Sequence, residues 1–118
     1  MAGPAVDKRA TAQLNHAVLI SAEHDVIRLL ADPLRAQIVE LLAGGPACTC
    51  HLVADTGASQ SNVSNHLRVL RQAGVVVAEP RGRYTFYRLR PEVFDSAAGY
   101  LAGLAEKARA SVDARREC

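Results

Sequence analysis

GASQSNVSNHLRVLRQAGVVV, from Gly57 to Val77, is the stretch that decides the fold. Ser59 offers a side-chain oxygen to the first free N–H groups of a helix that runs through Ala73, and Gly74 ends it. Within it Val63, Leu67 and Leu70 fall at i, i+4 and i+7, the spacing of a face turned to a core. Ser61, Ser64, Asn65 and Arg68 fall on another face, and Gln60 and Asn62 stand at the N-terminal end.

Upstream, Pro46 can open a short helix over residues 47–55, with Leu52 inward and Gly57 as its stop, so two short helices meet at a tight turn. Before that, Asp32 and Pro33 supply a cap and a first-turn residue for a helix whose apolar stripe, Leu34, Ile38, Leu41 and Leu42, ends at Gly44 and Gly45. Residues 11–31 contain no Gly or Pro, and Leu14, Val18, Val26, Ile27 and Leu30 recur at helical spacing.

Downstream, VVVAEPRGRYTFYRLR predicts strands over residues 75–79 and 84–90, joined through Pro80, Arg81, Gly82 and Arg83. Pro91 then opens a last helix carrying Phe94, Ala97, Ala98, Leu101, Leu104, Ala105 and Ala108 on one side. The order is ααααββα, mainly helical with a β-hairpin. Residues 11–110 form the domain, and residues 1–10 and 111–118 are expected to be flexible ends.

Two helices at a Gly turn, the second with a short polar face, have the layout of a helix-turn-helix. Ser59, Gln60, Ser61, Asn62, Ser64, Asn65, His66 and Arg68 are the candidates for base edges and phosphates, the N-terminal ones helped by the positive helix end. A solvated amphipathic helix would look similar in isolation. The basic hairpin tip beside it, Arg81 and Arg83 flanking Gly82 and followed by Arg88 and Arg90, favours double-stranded DNA as the partner.

At 118 residues and 49% apolar content, the chain has room for one modest core. It has no apolar run that could span a bilayer and no signal-peptide layout at residues 1–13, so a cytoplasmic protein without a membrane partner is expected. The net charge of +2 does not by itself announce a nucleic-acid binder. No enzyme constellation competes: Cys50, His51 and Asp55 share one short helix with nothing to build a pocket around them.

LADPLRAQIVELL, SQSNVSNHLRVLRQAGVV and GRYTFYRL, in that order, resemble the ArsR/SmtB family of bacterial winged helix-turn-helix repressors that respond to metals and metalloids. The resemblance runs from about Val26 to Ala105. It implies a homodimer built through the first and last helices, bound to an imperfect inverted repeat with recognition helices about 34 Å apart and released by an inducer. It implies no organic cofactor. In the arsenic and cadmium/lead sensors the third helix reads approximately Glu-Leu-Cys-Val-Cys-Asp-Leu. Here Pro46-Ala47-Cys48-Thr49-Cys50-His51-Leu52 keeps both thiols without the acidic neighbours, and Val53 stands where a further thiol can occur. The last-helix site of zinc, cobalt and nickel sensors needs histidines; this helix has Asp95 and Glu106 and no histidine.

Cys48 and Cys50 at a helix start are also a thiolate site on physical grounds, since unpaired N–H groups favour the anion and soft thiolates favour soft ions. Trivalent arsenic, As(III), is the first expectation as inducer, with Cd(II) or Pb(II) second. On a regular helix residues i and i+2 point about 200° apart, so gripping one ion is expected to require a deformed first turn, which would shift the recognition helix. Cys118 is the remaining thiol that could complete a three-sulfur set, while His51 suits a borderline metal. His16 and His24 read as solvated or interfacial. A thiol-redox switch, disfavoured by the strain of so short a disulfide ring, and a pair of inert buried thiols are the alternatives.

Overall fold

Asp32 starts the first complete helix in the way its sequence predicts. In a computed structural model that describes residues 24–117, its Oδ1 accepts the N–H groups of Leu34 and Arg35 at 3.0 and 3.1 Å. We label the elements α1 (residues 24–30), α2 (Pro33–Ala43), β1 (Ala47–Cys48), α3 (Thr49–Thr56), α4 (Gln60–Gln72), β2 (Val76–Arg81), β3 (Tyr84–Leu89) and α5 (Pro91–Ala110). The expected helix over residues 11–31 is observed at 24–30, and its earlier part, with His16, lies outside the described residues, as do residues 1–10 and Cys118. Residues 111–117 form no helix or strand.

The N–H of Arg35 is the main reason that the Asp32 carboxyl ionises below the ordinary carboxylate range. Its folded form therefore favours the anion: the stabilisation is present above that range and lost as pH falls through it. Asp32→Ala is expected to lower the thermal midpoint at neutral pH, with the gap to wild type closing in acid. A gap that stays constant down to strongly acidic pH would contradict this.

The core follows the predicted faces. Ile38, Val39 and Leu42 of α2 pack with Leu52 of α3 and with Val63, Leu67 and Leu70 of α4, and Val26, Val75, Val76 and Ala97 close the cluster. Gly57 ends α3 at φ +75°, a conformation that costs glycine nothing, and Thr56 Oγ1 accepts the N–H of Ala58 across the turn. This sets α3 and α4 as a helix-turn-helix.

Three differences from the sequence reading matter. Residues 47–48 are not helical: β1 lies antiparallel on β3, with Ala47 opposite Tyr87 and Cys48 opposite Phe86, giving a three-stranded sheet in the order β1-β3-β2. The cause is non-local, because β3 would otherwise leave one edge unpaired and these two residues satisfy it. The element order is therefore ααβααββα, a winged helix-turn-helix with one more strand than expected. The hairpin is also tighter than predicted, for Pro80 and Arg81 pair with Thr85 and Tyr84, leaving Gly82 and Arg83 as a two-residue turn with Gly82 at φ +61°. Pro80 is tolerated there because β2 is an edge strand. Finally, Val75 precedes β2, and Arg90 is the N-cap of α5 rather than part of β3.

On α5 only Ala97 is fully buried, while Leu101 and Leu104 are 50% and 47% exposed beside Ile27 of α1 at 37%. His24 Nε2 meets the Tyr100 hydroxyl at 3.1 Å between the same two helices. Among the described residues no helix is long and apolar enough to cross a membrane.

Candidate nucleic-acid interface and thiol site

Helix α4 presents its polar face as predicted. Ser59 Oγ accepts the Asn62 N–H at 3.2 Å and lies 3.4 Å from Ser61 Oγ. Gln60, Ser61, Asn62, Ser64, Asn65 and Arg68 are exposed. Arg68 Nη2 donates to Asn65 Oδ1 at 2.8 Å, so these two side chains approach a ligand as one fork. His66 is half-buried and turns toward α2, where Arg35 Nη1 donates to its Nδ1 at 3.4 Å while Arg35 Nε donates to the Leu29 carbonyl at 3.0 Å. Arg35 thus ties the end of α1 to α4. Nothing in the spacing of the sequence singles it out, since the pair is 31 residues apart.

The basic character of the hairpin narrows to its tip. Arg88 pairs with Glu79 at 3.2 Å and Arg90 with Glu92 at 3.0 Å, so both of these cations are balanced locally. Arg81 stacks over the Phe86 ring at 5.7 Å, and Arg83 occupies the turn, with no ion pair to either among the described residues. Guanidinium groups at the end of a two-stranded arm are placed to meet phosphates.

The two thiols come together without any deformed helix. Cys48 lies in β1 as the N-cap of α3, Cys50 lies in the first turn, and their Sγ atoms are 2.7 Å apart. The expected 200° separation does not apply because only Cys50 is helical. Cys48 is buried and Cys50 exposed, so the pair opens outward through Cys50. His51 completes the group: its Nδ1 lies 3.3 Å from Cys48 Sγ and accepts the Cys48 N–H at 3.3 Å, and its ring packs edge-on against Phe86 at 6.0 Å between centroids. The ligand atoms of Cys48, Cys50 and His51 all lie within 4.8 Å of one another, a spacing that one ion could bridge.

Both thiols were expected to ionise easily, but the structure divides them. A hydrogen bond from Cys50 is the main cause that lowers the Cys48 pKa, helped by N–H groups at the helix start, whereas donating that bond raises the Cys50 pKa. One proton is shared across the pair. In a Cys118→Ser background, Cys50→Ala is expected to move Cys48 ionisation to higher pH in a thiolate-absorbance titration. An unchanged Cys48 transition would contradict the shared proton.

A cavity of about 310 Å³ opens beside the sulfurs, walled by Cys48, Thr49, Cys50, Gln60, Arg83, Tyr84, Thr85 and Tyr87. The thiol pair therefore borders both the first residue of α4 and the hairpin tip. The sequence shows all eight residues but not their meeting, which β1 brings about. On α5, Asp95 faces a separate cavity of about 730 Å³ between α2, β3 and α5, and Glu106 pairs with Arg109.

Residues 32–77 match the model of the bacterial regulatory protein, arsR family. The chain is 37% identical over 82 residues to the arsenic resistance transcriptional regulator ArsR1 of Pseudomonas putida, covering 69% of this chain and 64% of that protein. It is 43% identical over 74 residues to the HTH-type transcriptional regulator CmtR of Mycobacterium tuberculosis, covering 63% of each. The matches thus span somewhat less than two thirds of these curated relatives. Among solved structures, one described as a possible transcriptional regulator for arsenical resistance is 34% identical with a TM-score of 0.63, covering 78% of this chain and 98% of that one.

Proposed function

Because the chain belongs to the arsR family of bacterial regulatory proteins, which are regulators and not enzymes, we propose that it is a homodimeric DNA-binding repressor whose operator affinity falls when a thiophilic inducer, As(III) first, binds Cys48 and Cys50. The single observation that carries this reading is the position of the thiol pair. Cys48 is a rung of the sheet that holds the hairpin, and the cavity beside both sulfurs is bounded by Gln60 and Arg83.

Operator contacts fall to Gln60, Ser61, Asn62, Ser64, Asn65 and Arg68 in the major groove and to Arg81 and Arg83 at flanking phosphates or the minor groove. Ser59 contributes as cap of the recognition helix, and His66 through its contact with Arg35. The exposed Ile27, Leu101 and Leu104 supply the apolar strip for a two-fold contact between copies.

Bonding both sulfurs to one atom locks Cys48 of β1 to Cys50 of α3 in the geometry that atom demands, and so shifts β1 against the start of α3. β1 carries β3 and the hairpin with it, while α3 leads through the Gly57 turn into α4, so the two DNA-contacting elements lose their relative placement. Inducer and operator then favour different arrangements of the same junction, which is the requirement for negative coupling.

A second reading has a specific observation behind it. Cys48, Cys50 and His51 form a two-sulfur, one-nitrogen set suited to a borderline or soft divalent ion such as Cd(II) or Pb(II). Cys118 is a candidate third ligand for the arsenic reading.

The test is fluorescence anisotropy of the reduced protein on a duplex from upstream of its own gene, titrated separately with arsenite, Cd(II), Pb(II), Zn(II) and peroxide. Release by arsenite at low equivalents supports the first reading. Release by Cd(II) or Pb(II) alone supports the second, and release by peroxide alone would replace both with a thiol-redox switch.

A further inference from the structure

The cavity beside the thiol pair answers a stoichiometric problem that arsenic poses. Trivalent arsenic forms three bonds, and Cys48 and Cys50 provide two sulfurs. His51 is a poor third ligand for it: the nitrogen is harder than a thiolate, and its Nδ1 is engaged by the Cys48 N–H in the contact that caps α3. Beside the sulfurs, with His51 not among its lining residues, lies about 310 Å³ of space, roughly ten waters' worth at ~30 Å³ each and at the lower end of small-ligand sites. Gln60, Tyr84, Thr85 and Tyr87 are among the residues that line it, together with one cationic residue, Arg83, which has no carboxylate partner among the described residues.

We propose that this cavity seats a low-molecular-weight thiol carrying a carboxylate, whose sulfur is the third ligand of the bound arsenic and whose carboxylate pairs with Arg83. The proposal rests on the arsenite reading above and deepens it. The chemistry is exchange without oxidation or reduction: one arsenous acid, the two protein thiols and one free thiol give a trithiolate arsenic, and three waters leave as three As–O bonds are replaced by three As–S bonds. Each water takes one hydroxide from arsenic and one thiol proton. The arm that meets DNA is then also the arm that meets the inducer's third ligand, since Arg83 is asked to serve both.

Native mass spectrometry of the full-length protein without DNA tests this, in wild type and in Cys118→Ser, with arsenite plus cysteine, plus mercaptoethanol as an uncharged thiol, or with no added thiol. The expected adduct has the mass of protein, one arsenous acid and one cysteine less three waters, in both proteins. Apparent arsenite affinity should be about 1.4- to 5-fold higher with cysteine than with mercaptoethanol, the range of an exposed ion pair. Arg83→Gln should abolish that preference while arsenic still binds. An adduct with arsenic and no added thiol under every condition, whether closed by Cys118 or by hydroxide, would overturn the proposal, as would equal affinity with both thiols. Arsenic retained by none of the proteins would instead overturn the arsenite reading on which it rests.

Discussion

Replacing Cys48 and Cys50 together by serine is expected to leave operator affinity within about twofold of wild type and to abolish the response to inducer. Wild-type affinity should fall about 5- to 150-fold at saturating arsenite, the usual span of an allosteric coupling. The separation is expected because neither sulfur belongs to the DNA-facing set: Cys48 is buried within the sheet as part of β1, and the exposed face of α4 is carried by its own cap at Ser59. Serine is close to cysteine in size and brings a hydroxyl that can cap α3, so β1 and α3 should form normally. Loss of DNA binding in the variant would mean that the thiols hold the interface together, and a retained arsenite response would move the inducer site elsewhere in the chain.

The second large effect is expected at the recognition helix. Arg68→Ala should weaken operator binding about 10- to 100-fold and relax preference at one base position, as loss of a bidentate contact does. Arg68 is exposed and already oriented by Asn65, so its removal leaves the core untouched. Arg83→Ala should behave differently, weakening operator and unrelated duplex alike and reducing the salt dependence by about one ion for each phosphate released. Competition binding at two salt concentrations separates the two. Uniform weakening by Arg68→Ala would make it a phosphate contact rather than a reader of sequence.

The helices were legible because their ends are written locally. Asp32 with Pro33, Ser59, Gly57 and Gly74 each act on the backbone within a few residues, and Val63, Leu67 and Leu70 expose the core face by spacing alone. The strand β1 was not legible, because two residues carry no periodicity and they become a strand only when β3, almost forty positions away, offers its edge. That omission also misplaced the sulfurs. Treating Cys48 as helical set the thiols on opposite sides of a cylinder, whereas an extended Cys48 beside a helical Cys50 brings them into contact. The residue types of the thiol site were thus visible in the chain, and the geometry that lets them act together was not. The same holds for Arg35 with His66 and for the cavity wall of Gln60, Arg83 and Tyr84, which depend on tertiary folding.

Coupling between the thiol pair and the DNA-contacting elements is reciprocal by thermodynamic linkage, and the most direct measurement is arsenite affinity of the wild-type protein free and saturated with operator duplex. The operator should weaken arsenite binding by the same factor by which arsenite weakens operator binding. Equal arsenite affinity in the two states would mean that the thiols bind arsenic without reporting it to the DNA interface, and the repressor mechanism built on their junction would be wrong.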